Sequence, residues 1–146
     1  MSSIHDTFKK NGFCGPLDIL TREEAEEALT EVMSELYPEP SSKEADVSGS
    51  VATPNRFKLH LVLPTLATIA HHPRLVQLVK DALGSKEILL WSSDINIKHP
   101  NSPGLFLAHQ DSTYAGLEPA NKALTAWIAL SDPVGVACLS IPDPTC

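Results

Sequence analysis

The chain has 146 residues with 11 basic and 18 acidic side chains, a formal charge of −7, and is the size of one domain. That balance, with Arg56-Phe57-Lys58 as the most basic stretch, argues against a nucleic-acid partner, because phosphate binding needs a clustered cationic surface. Cys14, Cys138 and Cys146 form no Cys-x-x-Cys, and no apolar stretch reaches membrane-spanning length, so the chain reads as soluble and cytoplasmic, with neither a disulfide framework nor a membrane span.

The first third reads as helix. Thr21 and Glu24 have capping-box spacing, in which hydroxyl and carboxylate each satisfy an orphan helix N–H. Behind them Ala25, Ala28, Leu29, Val32, Met33 and Leu36 recur at helical spacing, which predicts one helix over Arg22–Leu36 with an apolar stripe. Its other face, with Glu23, Glu24, Glu27, Glu31 and Glu35, reads as solvated. Pro38 and Pro40 end the helix, and residues 41–54 are small and polar, a surface loop. A second helical block is predicted over residues 64–83, with Pro73 as a first-turn proline and Gly84 as the left-handed stop. His71 and His72 precede Pro73, and as chain neighbours they point in different directions, which suits a helix start or the surface better than a metal site.

From Glu87 the period changes. Residues 88–91 form a short apolar run. In residues 94–98 Ile95 and Ile97 alternate with Asp94, Asn96 and Lys98, the pattern of a half-buried strand. Residues 105–109 and 124–130 read as two more strands and residues 134–141 as a short last one. Helices followed by antiparallel strands predict an α+β fold, with residues 1–86 mainly helical, 87–132 carrying the strands and 133–146 a tail.

Chemistry concentrates at His109-Gln110-Asp111. On an extended strand, positions i and i+2 share a face, so an imidazole and a carboxylate stand side by side. Such a pair plus one more His is the facial triad that holds non-haem iron(II) with open coordination positions. The ordinary alternative is a strand-end His beside a hydrogen-bonding Asp. A zinc hydrolase built on the same two residues would need a further ligand and a general base.

The context of the pair is specific. The run Ile88-Leu89-Leu90-Trp91-Ser92-Ser93-Asp94-Ile95-Asn96-Ile97-Lys98, then His109-Gln110-Asp111-Ser112-Thr113-Tyr114, then Leu124-Thr125-Ala126-Trp127-Ile128-Ala129-Leu130 resembles the phytanoyl-CoA dioxygenase family over roughly residues 8–132. Upstream, Asn11-Gly12-Phe13 and the segment from His71 to Gly84 are similar to the same family. The resemblance implies an iron(II)- and 2-oxoglutarate-dependent dioxygenase that hydroxylates a small organic or lipid-derived substrate. The implied fold is N-terminal helices followed by the first strands of a double-stranded β-helix, jelly-roll or cupin-like. His109 and Asp111 match two of the family's iron ligands. Trp127 is similar to the family aromatic that faces the co-substrate, a core tryptophan being the ordinary alternative, and Asn96 and Lys98, on the polar face of their strand, are expected to line the same pocket.

The pattern then departs from the family. A distal His ligand and an Arg for the far carboxylate of 2-oxoglutarate are expected downstream, yet neither residue type occurs between Asp111 and Cys146. Residues 133–142 echo a family Gly-Cys-Leu strand, after which Asp143-Pro144-Thr145-Cys146 stands where Pro-Gly-Ser-His is expected. The expectation is a single partial dioxygenase domain, incomplete at the C-terminus, inactive as this chain and open to self-association through an uncovered sheet. The other expectation is a non-catalytic binding or regulatory variant of the same fold.

Overall fold

The computed structural model describes residues 3–36, 57–97, 109 and 111–132. Helix α1 (Ile4–Asn11) starts at Ser3, whose hydroxyl accepts the Asp6 N–H at 3.1 Å and donates to the Asp6 carboxylate at 2.7 Å. It stops at Gly12, where φ is 76° and the N–H returns to the Phe8 carbonyl at 2.8 Å, the left-handed stop that a residue without Cβ adopts most readily. Helix α2 (Arg22–Leu36) has the predicted bounds and the predicted box: the Thr21 N–H reaches Glu24 Oε2 at 2.7 Å and the Glu24 N–H reaches Thr21 Oγ1 at 3.2 Å. Ala28 and Val32 are its buried positions, with Ala25, Leu29, Met33 and Leu36 half-buried along the same stripe.

The second helical block is two helices. Helix α3 (Pro64–Ala70) and helix α4 (Pro73–Leu83) each open on a proline, and His72 between them is extended, with ψ 125°. A residue before proline is driven out of the helical region by the ring, so Pro73 breaks the block as well as starting α4. Gly84 closes α4 at φ 63°.

The core sits where α2 meets the 3₁₀ turn Leu59–Leu61. Val32, Leu59 and Leu63 are buried together, and Leu36, Leu66 and Ile95 close round them. Ser93 ties the turn to the later chain three times. Its carbonyl accepts the Leu59 N–H at 3.0 Å, its Oγ accepts the His60 N–H at 2.8 Å, and the same Oγ lies 2.8 Å from His60 Nδ1. Lys58 enters the turn with the left-handed φ of 58°, and its Nζ lies 4.6 Å from the Trp91 ring centroid and 5.3 Å from that of Phe57. Those cation–π contacts accompany a backbone region that costs a side-chain-bearing residue about 1–2 kcal/mol.

The α+β expectation is corrected here. Among the described residues there is no strand, and so no sheet and no first strands of a double-stranded β-helix. Residues 94–97 keep the predicted alternation, with Ile95 and Ile97 half-buried and Asp94 and Asn96 exposed, while the apolar run over residues 88–91 is exposed. What they lack is a partner ladder. A strand is defined by repeated inter-strand hydrogen bonds, whereas the hydrogen bonds between this segment and residues 59 and 60 all come from Ser93. Residues 124–129, also predicted as strand, are irregular, and His109 is followed by helix α5 (Asp111–Ala115) and the 3₁₀ turn Ala120–Lys122. The predicted strands 105–108 and 134–141, Lys98, and the tail lie outside the described residues. Self-association through an uncovered sheet therefore has no sheet to rest on among the described residues. No described helix is long and apolar enough to cross a membrane.

Helix α1 docks on the end of α4. His5 Nδ1–H donates to the Ala82 carbonyl at 3.0 Å, and the imidazole lies so close to Gly84 that an added Cβ would stand 2.9 Å from His5 Cε1. Gly84→Ala thus meets two obstacles at once, a left-handed backbone and a ring already tied to Ala82. Urea denaturation is expected to show a loss of about 1–2 kcal/mol from the backbone alone, and an unchanged midpoint in Gly84→Ala would refute the left-handed stop. His5→Ala should lower stability as well, and no loss there would mean that α1 is not docked on α4. The hydrogen bonds from Ser3, side chain and then backbone, hold the Asp6 carboxyl below its ordinary value, helped by the His5 and Lys9 charges. A lowered folded-state pKa means that Asp6 stabilises α1 above the ordinary carboxylate range and that this contribution is lost as pH falls through the lowered value. Ser3→Ala should move the Asp6 titration back up toward its ordinary value, read by NMR of the Asp6 side chain.

Candidate metal centre

Helix α5 is short and locally specified. Asp111 lies in its first turn, where an acidic side chain complements the helix dipole, and Gly116 stops it at φ 62° with its N–H on the Ser112 carbonyl at 3.1 Å. The predicted strand geometry of the His-x-Asp motif therefore does not apply, because Asp111 opens a helix. The two side chains nonetheless meet: His109 Nε2 lies 3.1 Å from Asp111 Oδ1, with 42% and 55% of the side chains exposed.

Two further residues fix this pair. Tyr114, one turn along α5 from Asp111, sets its ring edge-on to the His109 imidazole at 5.6 Å and 84°. Thr125, reached after the 3₁₀ turn Ala120–Lys122 brings the chain back, donates its hydroxyl to Asp111 Oδ2 at 2.5 Å. The carboxylate is thus divided, one oxygen toward the imidazole and the other held by a hydroxyl. Past Thr125 the chain runs to Asp132, whose Oδ2 lies 3.6 Å from Arg22 Nη1 at the start of α2. Both partners are well exposed, so that ion pair adds little stability.

The donor set suits a borderline cation. Nitrogen and oxygen ligands bind first-row divalent metals at about 2.1 Å, which places two neighbouring ligands of an octahedral ion about 3.0 Å apart, and the observed separation is 3.1 Å. Among the described residues no group of three or more His, Cys, Asp or Glu is clustered for a metal, so His109 and Asp111 are the two donors seen. The other predicted site residues are placed differently. Trp127 is 53% exposed, two residues beyond Thr125; Asn96 is exposed between half-buried Ile95 and Ile97; Lys98 lies outside the described residues. The contacts that shape the pair come from Thr125 and Tyr114, to which the sequence assigned no role. Tyr114 carried a signal, three residues after Asp111 in what proves to be helix; Thr125 carried none, because its contact spans 14 positions.

Residues 8–139 match the family model described as phytanoyl-CoA dioxygenase (PhyH). The chain belongs to the phytanoyl-CoA dioxygenase family. One relative, phytanoyl-CoA dioxygenase domain-containing protein 1 of Mus musculus, is 34% identical over 74 residues. That match covers 51% of this chain and 25% of the relative, so it spans a quarter of the relative's length. No solved structure matches the chain significantly. Membership in the phytanoyl-CoA dioxygenase family covers most of the described residues, α2 to α5 and the His109–Asp111 pair among them.

Proposed function

We propose that this chain is an iron(II)- and 2-oxoglutarate-dependent oxygenase of the phytanoyl-CoA dioxygenase type, acting on a small organic or lipid-derived substrate, with His109 and Asp111 as metal ligands. The observation that carries the reading is the 3.1 Å approach of His109 Nε2 to Asp111 Oδ1, in a chain matched to the family over residues 8–139. When bound, the metal and 2-oxoglutarate would let dioxygen be divided, one oxygen atom entering succinate as the oxo acid loses carbon dioxide and the other entering a substrate C–H bond. The chain's own part is to present one imidazole nitrogen and one carboxylate oxygen on the same side, with Tyr114 against the imidazole and Thr125 against the carboxylate. An iron site that leaves positions open for co-substrate and oxidant uses such a mixed nitrogen and oxygen set. Trp127, Asn96 and Lys98 are proposed to line the co-substrate side.

One observation favours a second reading, a non-catalytic binding or regulatory variant. From Asp111 to Cys146 there is neither a His nor an Arg, so these residues supply no distal imidazole and no guanidinium for the bidentate pairing a dicarboxylate favours. Two ligands hold a metal less tightly than three.

Binding of cobalt(II), followed by visible absorption and calorimetry on the purified chain, tests the metal reading. His109→Ala and Asp111→Ala should each weaken binding at least tenfold while leaving the far-UV circular dichroism unchanged, since both side chains are about half exposed. Equal affinity in wild type and both variants would sink the assignment of these ligands. Succinate release from 2-oxoglutarate with iron(II) then separates the readings: turnover lost in His109→Ala establishes the oxygenase, and metal binding without turnover establishes the non-catalytic variant.

A further inference from the structure

The structure assigns Thr125 as the residue that makes Asp111 a one-oxygen ligand, a positioning role that rests on the metal reading of His109 and Asp111. Asp111 has two equivalent oxygens and, left alone, can bind a cation through either or both. Here they are made unequal. Oδ1 faces His109 Nε2 at 3.1 Å, while Oδ2 receives the Thr125 hydroxyl at 2.5 Å, at the short end of the range for a hydroxyl donating to an ionised oxygen.

The direction of this hydrogen bond is fixed by chemistry. The Thr125 hydroxyl is the donor and Asp111 Oδ2 the acceptor. That donation engages one of the lone pairs of Oδ2 and makes it the poorer of the two oxygens as a metal donor. It also holds the carboxylate plane against rotation about the Cβ–Cγ bond, a torsion that is broad and roughly two-fold when nothing restrains it. Oδ1, on the His109 side, would then be the oxygen offered to a metal held with that imidazole. Each carboxylate that binds through one oxygen instead of two leaves one more coordination position open, which a site receiving both a chelating co-substrate and an oxidant requires.

The hydroxyl comes from outside the motif. Thr125 lies 14 residues downstream of Asp111, across α5 and the 3₁₀ turn Ala120–Lys122. Its contact therefore reports that the returning segment is docked, and the carboxylate is correctly divided only when that segment is in place.

Outer partners of metal ligands change metal affinity about 10–100-fold when removed. Thr125→Val keeps the shape and removes the hydroxyl, and Thr125→Ser keeps the hydroxyl and removes the methyl. With cobalt(II) as the probe on the full chain, Thr125→Val should alter the visible band, as the second carboxylate oxygen joins the metal, and shift the dissociation constant at least tenfold, while Thr125→Ser stays within threefold of wild type with the wild-type band. A Thr125→Val protein with wild-type affinity and spectrum overturns the inference, provided His109→Ala still abolishes binding. Failure of Thr125→Ser to rescue also overturns it, because the methyl and not the hydroxyl would then be what matters. If wild type and His109→Ala take up cobalt(II) equally, the metal reading itself fails and takes the Thr125 role with it. Far-UV circular dichroism, dominated by α1 to α4, controls for folding.

Discussion

The three hydrogen-bonding contacts of Ser93 are the constraint on which the described architecture depends. Through its carbonyl and its hydroxyl, Ser93 fixes the backbone N–H groups of Leu59 and His60 and the imidazole of His60. Leu59 is thereby presented to Val32 and Leu63, and Ile95, two residues after Ser93, closes the same core from the other side. Buried N–H groups left without partners carry a desolvation cost of about 1–3 kcal/mol each, so hydrogen bonds here do more than decorate a hydrophobic contact. They decide which apolar side chains can reach one another. The helices α2 and α3 meet around that small cluster, and the chain that later reaches His109 leaves from it.

How far these features could be read in advance depends on the range of the forces behind them. The box between Thr21 and Glu24, the start at Pro73 and the stop at Gly84 are local steric and hydrogen-bonding effects, and they fell where the residues placed them. The break before Pro73 is equally local; His72 is held extended by the proline that follows, a rule the block over residues 64–83 passes over. Strand prediction failed for a different reason. Ile95 and Ile97 do alternate in burial with Asp94 and Asn96, but alternation specifies faces and not partners, and a ladder needs a second strand that the pattern of one segment cannot supply.

The His109–Asp111 pair shows both cases within three residues. His109 and Asp111 were recognisable by type and by the company of Gln110 and the downstream Thr-Ala-Trp run. Their geometry is a helix start and not the expected strand, because the extended reading of residues 105–109 carries through to Asp111 while the acidic first turn and the stop at Gly116 favour a short helix. That the nitrogen and oxygen still converge means the motif tolerates a change of backbone under it. Convergence is secured by Thr125, a contact between distant positions, and such contacts are invisible to any local rule.

The chain's two tryptophans fall at two of the tertiary joins among the described residues. Trp91 carries the Lys58 ammonium over its indole at the junction of the 3₁₀ turn with the Ser93 segment, and Trp127 follows two residues behind the hydroxyl that holds Asp111. A protein arranged in this way carries its own optical probes. Emission from one indole follows the loosening of the core junction and emission from the other follows the segment beside His109, so single Trp→Phe replacements can time the two events separately during unfolding.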